Sequence, residues 1–149
     1  MRIGIIYTSI SGNTKELALL INNQFKQRSL DVYLYSIEQF ACHRLDEFDA
    51  IVIGTYTWGN GEIPDEMMPL YQEFKKIDRR NIVTGVFGTG DSFYPHYCGA
   101  VDMFRDLLNV KTDLSVTLKV ELLPQQQDIA RCNKFVDLLL ARFENLILH

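Results

Sequence analysis

Ser9, Ser11, Asn13 and Thr14 set four hydroxyl or amide side chains close together in the turn Thr8-Ser9-Ile10-Ser11-Gly12-Asn13-Thr14. That turn joins an apolar run, Ile3-Gly4-Ile5-Ile6-Tyr7, to an amphipathic segment beginning near Thr14. A strand that delivers the backbone to a sharp turn at Gly12, with a helix after it, brings unpaired amides and the positive end of a helix dipole to one point. Such a turn reads as a phosphate cradle. No Lys or Arg lies inside it and Lys15 stands just beyond, so neutral donors would hold the anion. The nucleotide motifs GxxxxGK(S/T) and GxGxxG do not follow this strand, which favours a phosphate monoester held permanently over nucleotide hydrolysis. The same residues also suit an ordinary strand-to-helix turn with an N-cap.

Two further loops carry ligand-facing chemistry. Gly54-Thr55-Tyr56-Thr57-Trp58-Gly59-Asn60-Gly61-Glu62 places the only Trp of the chain in a polar, glycine-flanked turn, either as a loop anchor or as a stacking face for a flat ligand. Gly88-Thr89-Gly90-Asp91-Ser92-Phe93-Tyr94-Pro95-His96-Tyr97-Cys98-Gly99 holds one carboxylate among aromatics. Tyr94 offers a second stacking face, and Asp91 an acceptor for a ring N–H. Phosphate donors and two aromatic planes, gathered at one end of a sheet, outline a phosphorylated planar ring.

The elements that would gather them are five short apolar runs alternating with amphipathic segments, the pattern of βαβ units in a parallel sheet. The runs are Ile3 to Tyr7, Asp31 to Ser36, Ala50 to Gly54, Asn81 to Phe87 and Leu114 to Leu122. In the first helix Leu17, Ile21 and Phe25 recur on one face while Lys15, Asn22, Lys26 and Gln27 point away. A weakly patterned helix is expected from Ile37 to Phe48. Another carries Met67, Leu70, Tyr71 and Phe74 inward, with Asp65 as N-cap and Pro69 near its first turn. Val101, Phe104, Leu107 and Leu108 mark the next, and Ile129, Cys132, Val136, Leu139 and Phe143 the inward face of the last, from about Asp128. Leu114, Val116, Leu118, Val120 and Leu122 alternate with polar partners, as on an edge strand. In an open sheet of this kind ligands bind beyond the carboxyl ends of the strands.

With 149 residues, 47% of them apolar, the chain suits a single domain, residues 1–149, with one well-buried core. A net charge of −4 without a dense basic stretch argues against nucleic acid. No apolar run approaches the ~20 residues of a membrane span, and the reading is a cytoplasmic protein. Cys42, Cys98 and Cys132 are too widely spaced for a CxxC pair and read as reduced thiols; His43, His96 and His149 show no ligand spacing, so no metal is expected.

The three loops together resemble the flavodoxin family. Ser9-Ile10-Ser11-Gly12-Asn13-Thr14 is similar to its phosphate loop, Thr57-Trp58-Gly59 to its first ring loop, and Gly90-Asp91-Ser92-Phe93-Tyr94, continuing through Tyr97-Cys98-Gly99-Ala100-Val101-Asp102, to its second. The resemblance covers the whole chain. It implies an α/β fold, a doubly wound five-stranded parallel sheet in the order 2-1-3-4-5 with helices on both faces. It implies non-covalently bound FMN, held by Ser9, Ile10, Ser11, Gly12, Asn13, Thr14, Thr55, Tyr56, Thr57, Trp58, Gly59, Gly88, Thr89, Gly90, Asp91, Phe93, Tyr94, Tyr97 and Cys98. Trp58 and Tyr94 would sandwich the isoalloxazine, with Phe93 the competitor of Tyr94, and Asp91 would lie near the pyrimidine end.

The implied function is low-potential, single-electron carriage from a flavodoxin reductase-type donor to acceptor enzymes, by a monomer with no substrate turnover of its own. The carbonyl of the Gly59–Asn60 peptide would turn toward N5–H of the semiquinone. The uninterrupted run from Leu114 to Leu122 marks the short-chain type. Lys15 and Asn60 stand where the family commonly has acids, leaving Glu62, Asp65, Glu66, Asp91 and Asp102 on the ring side. The alternatives are a flavin-dependent NAD(P)H or quinone reductase, which would need a hydride-donor pocket, a dedicated flavoprotein activator of a metalloenzyme, and an α/β signalling receiver, which would need acids after the first strand.

Overall fold

The computed structural model describes residues 1–148, and His149 lies outside them. Five parallel strands, β1 (Arg2–Tyr7), β2 (Asp31–Ser36), β3 (Ala50–Thr55), β4 (Val83–Gly90) and β5 (Asp113–Glu121), form one sheet in the order β2-β1-β3-β4-β5. Four α-helices cover it, α1 (Asn13–Gln27), α2 (Met68–Lys76), α3 (Gly99–Lys111) and α4 (Asp128–Leu148). Alternation along the strands divides the core into two layers. Ile3, Ile5, Ala50, Val52, Val83 and Phe87 meet α1 and α4, whereas Ile6, Ile51, Ile53 and Val86 meet α2 and α3. β3 is buried along its whole length, as a central parallel strand must be. The winding direction reverses between β1 and β3, which pair directly in register Ile3↔Ala50 to Tyr7↔Gly54, and the crevice beyond their carboxyl ends is where the three loops emerge.

Six expectations are corrected by the packing. Ile37 to Phe48 is not one helix but two 3₁₀ turns, Ile37–Gln39 and Cys42–Glu47. The Gln39 side chain accepts the Ser36 amide proton at 3.1 Å and closes the first turn, and Phe40 and Ala41 are extended between the two. Asp65 is not an N-cap: Asp65–Met67 is a 3₁₀ turn entered from Pro64, and α2 begins at Met68. Asn22 faces inward and is buried, with Oδ1 unpartnered, while Ile129 is exposed. The fourth strand runs to Gly90 rather than Phe87 because Lys119, Val120 and Glu121 continue the ladder beside Gly88, Thr89 and Gly90.

The sixth correction concerns β5, which does not present one continuous apolar face. The β4–β5 register shifts between Thr84 and Gly85, where Leu114 and Val116 are the partners and Ser115 is the extra residue. One extra residue flips the side chains that follow, so Leu114 packs toward α2 and α3 while Val116, Leu118 and Val120 pack toward α1 and α4. The Ser115 hydroxyl donates to the Thr84 carbonyl at 2.8 Å, and Leu122 lies beyond the strand. No helix of the described residues is long and apolar enough to cross a membrane.

Candidate functional site

The turn after β1 is tied to the sheet by the Thr8 amide, which donates to the Gly54 carbonyl at 3.0 Å. Gly12 then takes φ +96° as the N-cap of α1, a left-handed conformation that glycine adopts without strain. α1 has no side-chain cap on that residue. Instead the Ser9 Oγ accepts the Gly12 and Lys15 amide protons, each at 3.2 Å, and the Ser11 Oγ accepts that of Asn13 at 3.4 Å. Oxygen acceptors thus converge on the opening amides of a 15-residue helix, where a phosphate oxygen is also stabilised. The Thr14 hydroxyl is buried and shares a 2.7 Å hydrogen bond with that of Thr89, locking the floor of the turn to β4. Ile10 is exposed on its rim.

The first ring loop is a tight hairpin. Trp58 and Glu62 exchange backbone hydrogen bonds of 2.8 and 2.7 Å around Gly59, Asn60 and Gly61. A Cβ on Gly61 would lie 2.7 Å from His96 Cβ, and one on Gly99 would lie 2.7 Å from Gly61 Cα, so the two ring loops meet where only glycines fit. The Thr57 Oγ accepts the Ala100 amide proton at 3.2 Å and caps α3 from the opposite loop. Thr55 is fully buried and its hydroxyl donates to the Tyr56 carbonyl, while the Tyr56 hydroxyl donates to Glu66 at 2.7 Å. Burial, reinforced by Glu66, pushes the Tyr56 phenol up to about 12.

In the second ring loop the Asp91 carboxylate accepts the Phe93 amide proton at 3.0 Å, and the Asp91 carbonyl accepts that of Tyr94 at 3.1 Å. His96 and Cys98 are left-handed at φ +61° and +51°, bending the chain into α3. Burial raises the Cys98 thiol to about 11 and raises the Tyr97 phenol further above its ordinary value. Both therefore stay protonated at neutral pH, as donors and apolar wall rather than nucleophiles.

These loops enclose a cleft of ≈ 300 Å³ lined by Thr57, Gly59, Gly90, Asp91, Tyr94, Pro95, His96, Tyr97 and Cys98. Trp58, 52% exposed, instead borders a hollow of ≈ 210 Å³ with Ile10, Tyr56, Asp65 and Glu66. Tyr94 lines the cleft, whereas Phe93, 93% exposed, does not. Gly88 and Thr89 lie inside β4, buried below the loop. Pro95 and His96 were not among the residues that the motifs single out; their place in a loop flanked by Gly90 and Gly99 was the available signal. Asp102 pairs with Lys119 at 2.8 Å and Arg105 at 2.9 Å, so its charge is largely neutralised, leaving Asp91 on the cleft wall and Asp65 and Glu66 on the hollow beside Trp58. The donor set fits a phosphorylated planar ligand: neutral hydroxyl and amide groups at a helix N-terminus, two exposed aromatic side chains, and a cleft beside Tyr94 with an acceptor carboxylate on its wall.

A doubly wound α/β protein with its crevice at the β1/β3 switch point, where a hydroxyl-rich turn at a helix N-terminus meets two aromatic loops, matches the flavin-mononucleotide class of this fold. The flavodoxin family profile matches residues 5–134, and the chain belongs to that family of FMN-binding electron carriers. It is 36% identical over 135 residues to probable flavodoxin 1 of Bacillus subtilis, covering 88% of this chain and 85% of that one. Flavodoxin of Maridesulfovibrio salexigens is 32% identical over 130 residues, 84% of this chain and 89% of that one. Among solved structures, oxidised flavodoxin 1 of Bacillus cereus superposes with a TM-score of 0.87 at 32% identity, covering 95% and 98% of the two chains. A short-chain flavodoxin associated with a non-canonical PDU bacterial microcompartment superposes at 0.91 with 27% identity, covering 96% and 99%. The unbroken β5 agrees with that shorter architecture.

Proposed function

We propose that this chain carries single electrons at low potential between a flavodoxin reductase-type donor and acceptor enzymes, as a monomer, with FMN seated across the three loops described above. The observation that carries the reading is the union, at one switch point, of the Ser9–Thr14 helix-terminus cradle with the Tyr94-lined cleft. Bound FMN supplies the redox chemistry, taking up and passing on one electron at a time. The chain's residues hold and tune it. Ser9, Ser11, Asn13, Thr14 and the opening amides of α1 would hold the phosphate, and Trp58 and Tyr94 would stack on the ring and shield it from water. The second Asp91 oxygen would be available to a ring N–H, and backbone amides near Gly90 and Cys98 to ring carbonyls.

Glu62, Asp65 and Glu66 form an acidic rim that disfavours further negative charge in the cleft and steers basic partner surfaces into weak, salt-sensitive encounters. The test is a coupled assay: with a flavodoxin reductase and NADPH, the purified protein passes electrons to cytochrome c at a rate that falls steeply with added salt. Rapid oxidation of NADPH by the protein alone would instead establish the nicotinamide-reductase alternative.

A further inference from the structure

The second ring loop is held from outside the cleft. β4 and β5 stay paired to their last residues, where Gly90 stands opposite Glu121. Beyond that pair the Leu122 amide donates to the Gly90 carbonyl at 2.8 Å, with Leu122 itself at φ +55°. A left-handed leucine is strained, so this turn persists because other contacts fix it. The Ser92 hydroxyl donates to the Glu121 carboxylate across 29 residues of sequence. The remaining hydrogen bonds of the loop are local, from Phe93 and Tyr94 back to Asp91 and from Gly99 to His96. Among the described residues, Ser92–Glu121 is thus the one side-chain hydrogen bond that ties residues 91–97 to another element.

We propose that Glu121 is a positioning residue for the flavin: by accepting the Ser92 hydroxyl proton it fixes Asp91 and Tyr94 in the arrangement that receives the ring. This rests on residues 91–98 being the ring site. A carboxylate acceptor makes a stronger bond than a neutral one, and a loop fixed beforehand loses less freedom when the ligand arrives. Glu121 therefore acts on ring affinity and not on the phosphate turn, which it does not touch.

The test compares FMN with riboflavin, which lacks the phosphate, by fluorescence quenching on the apoprotein of wild type, Ser92→Ala, Glu121→Ala, Glu121→Gln and the double alanine variant. Each single alanine should raise both dissociation constants by the same factor, roughly three- to tenfold. The double variant should be no weaker than either single one, and Glu121→Gln, which keeps an acceptor without its charge, should fall between. Amide exchange across residues 91–97 should quicken in the alanine variants, with the thermal unfolding midpoint of the apoprotein unchanged. Unchanged dissociation constants, multiplying effects in the double variant, or weakening of FMN alone would overturn the proposal. A wild-type protein that binds neither flavin would overturn the ring-site reading and the latch with it.

Discussion

Gly59 sits at φ +52°, and apart from its adjacent residues the nearest atom to where a Cβ would stand is Glu62 Oε2, 3.7 Å away. Alanine there meets no clash and costs only the backbone term, about 1 kcal/mol, so the variant should fold. It should nevertheless resist turning of the Gly59–Asn60 peptide and lower the yield of the one-electron-reduced form in an anaerobic titration followed by absorbance. An unaltered yield would remove the peptide turn from the account. Asn60, at the tip of the same hairpin, stands next to the acidic rim. A charge added about 12 Å from another at an effective dielectric of about 40 is worth about 0.7 kcal/mol, or about 30 mV for one electron. Asn60→Asp should make the potential for the second electron more negative by that order, checked by spectroelectrochemistry at low salt; a shift of opposite sign would contradict it. Such residues were legible because their types are distinctive: Gly beside Trp, hydroxyls before a helix. What each side chain binds was not, since the partners of Thr14, Thr57 and Asp102 lie 75, 43 and 17 residues away.

The elements position the site through a few cross-links. Thr14 on α1 and Thr89 on β4 bury their hydroxyls against one another. Removing one leaves the other unsatisfied, so Thr14→Val or Thr89→Val should each cost about 1–3 kcal/mol in urea unfolding, and the pair together less than the sum. The Tyr56–Glu66 bond ties the first ring loop to the 3₁₀ turn before α2. Because the folded phenol is raised to about 12 from its ordinary 10, its stabilising contribution is present below pH 10 and is lost as pH climbs toward 12. The stability difference between wild type and Tyr56→Phe should accordingly shrink across that window in denaturant unfolding. The strands and most helix faces were legible from periodicity and the strand order from the family resemblance, but the face of Leu114 was not. A single extra residue, Ser115, reverses the alternation, and nothing in a local pattern announces it. The two 3₁₀ turns after β2 escaped for a related reason: Phe40, Leu45 and Phe48 are apolar enough for a helix, but the Ser36–Gln39 side-chain bond closes the first turn and all three pack into the core from two separate turns.

For the molecule as a whole, the sheet is a rigid frame with its variable chemistry at one end, and the cradle, hairpin and second loop are brought together by a switch point that no single motif encodes. The central claim is that these three loops hold FMN for one-electron traffic. The most direct measurement is a stepwise anaerobic reduction of the purified protein, followed by visible absorption, with the released chromophore identified by chromatography. The account predicts a yellow protein that releases FMN and accepts its two electrons in separate steps. A colourless protein that cannot be reconstituted with FMN would contradict it, and would return Trp58 and Tyr94 to the role of loop packing.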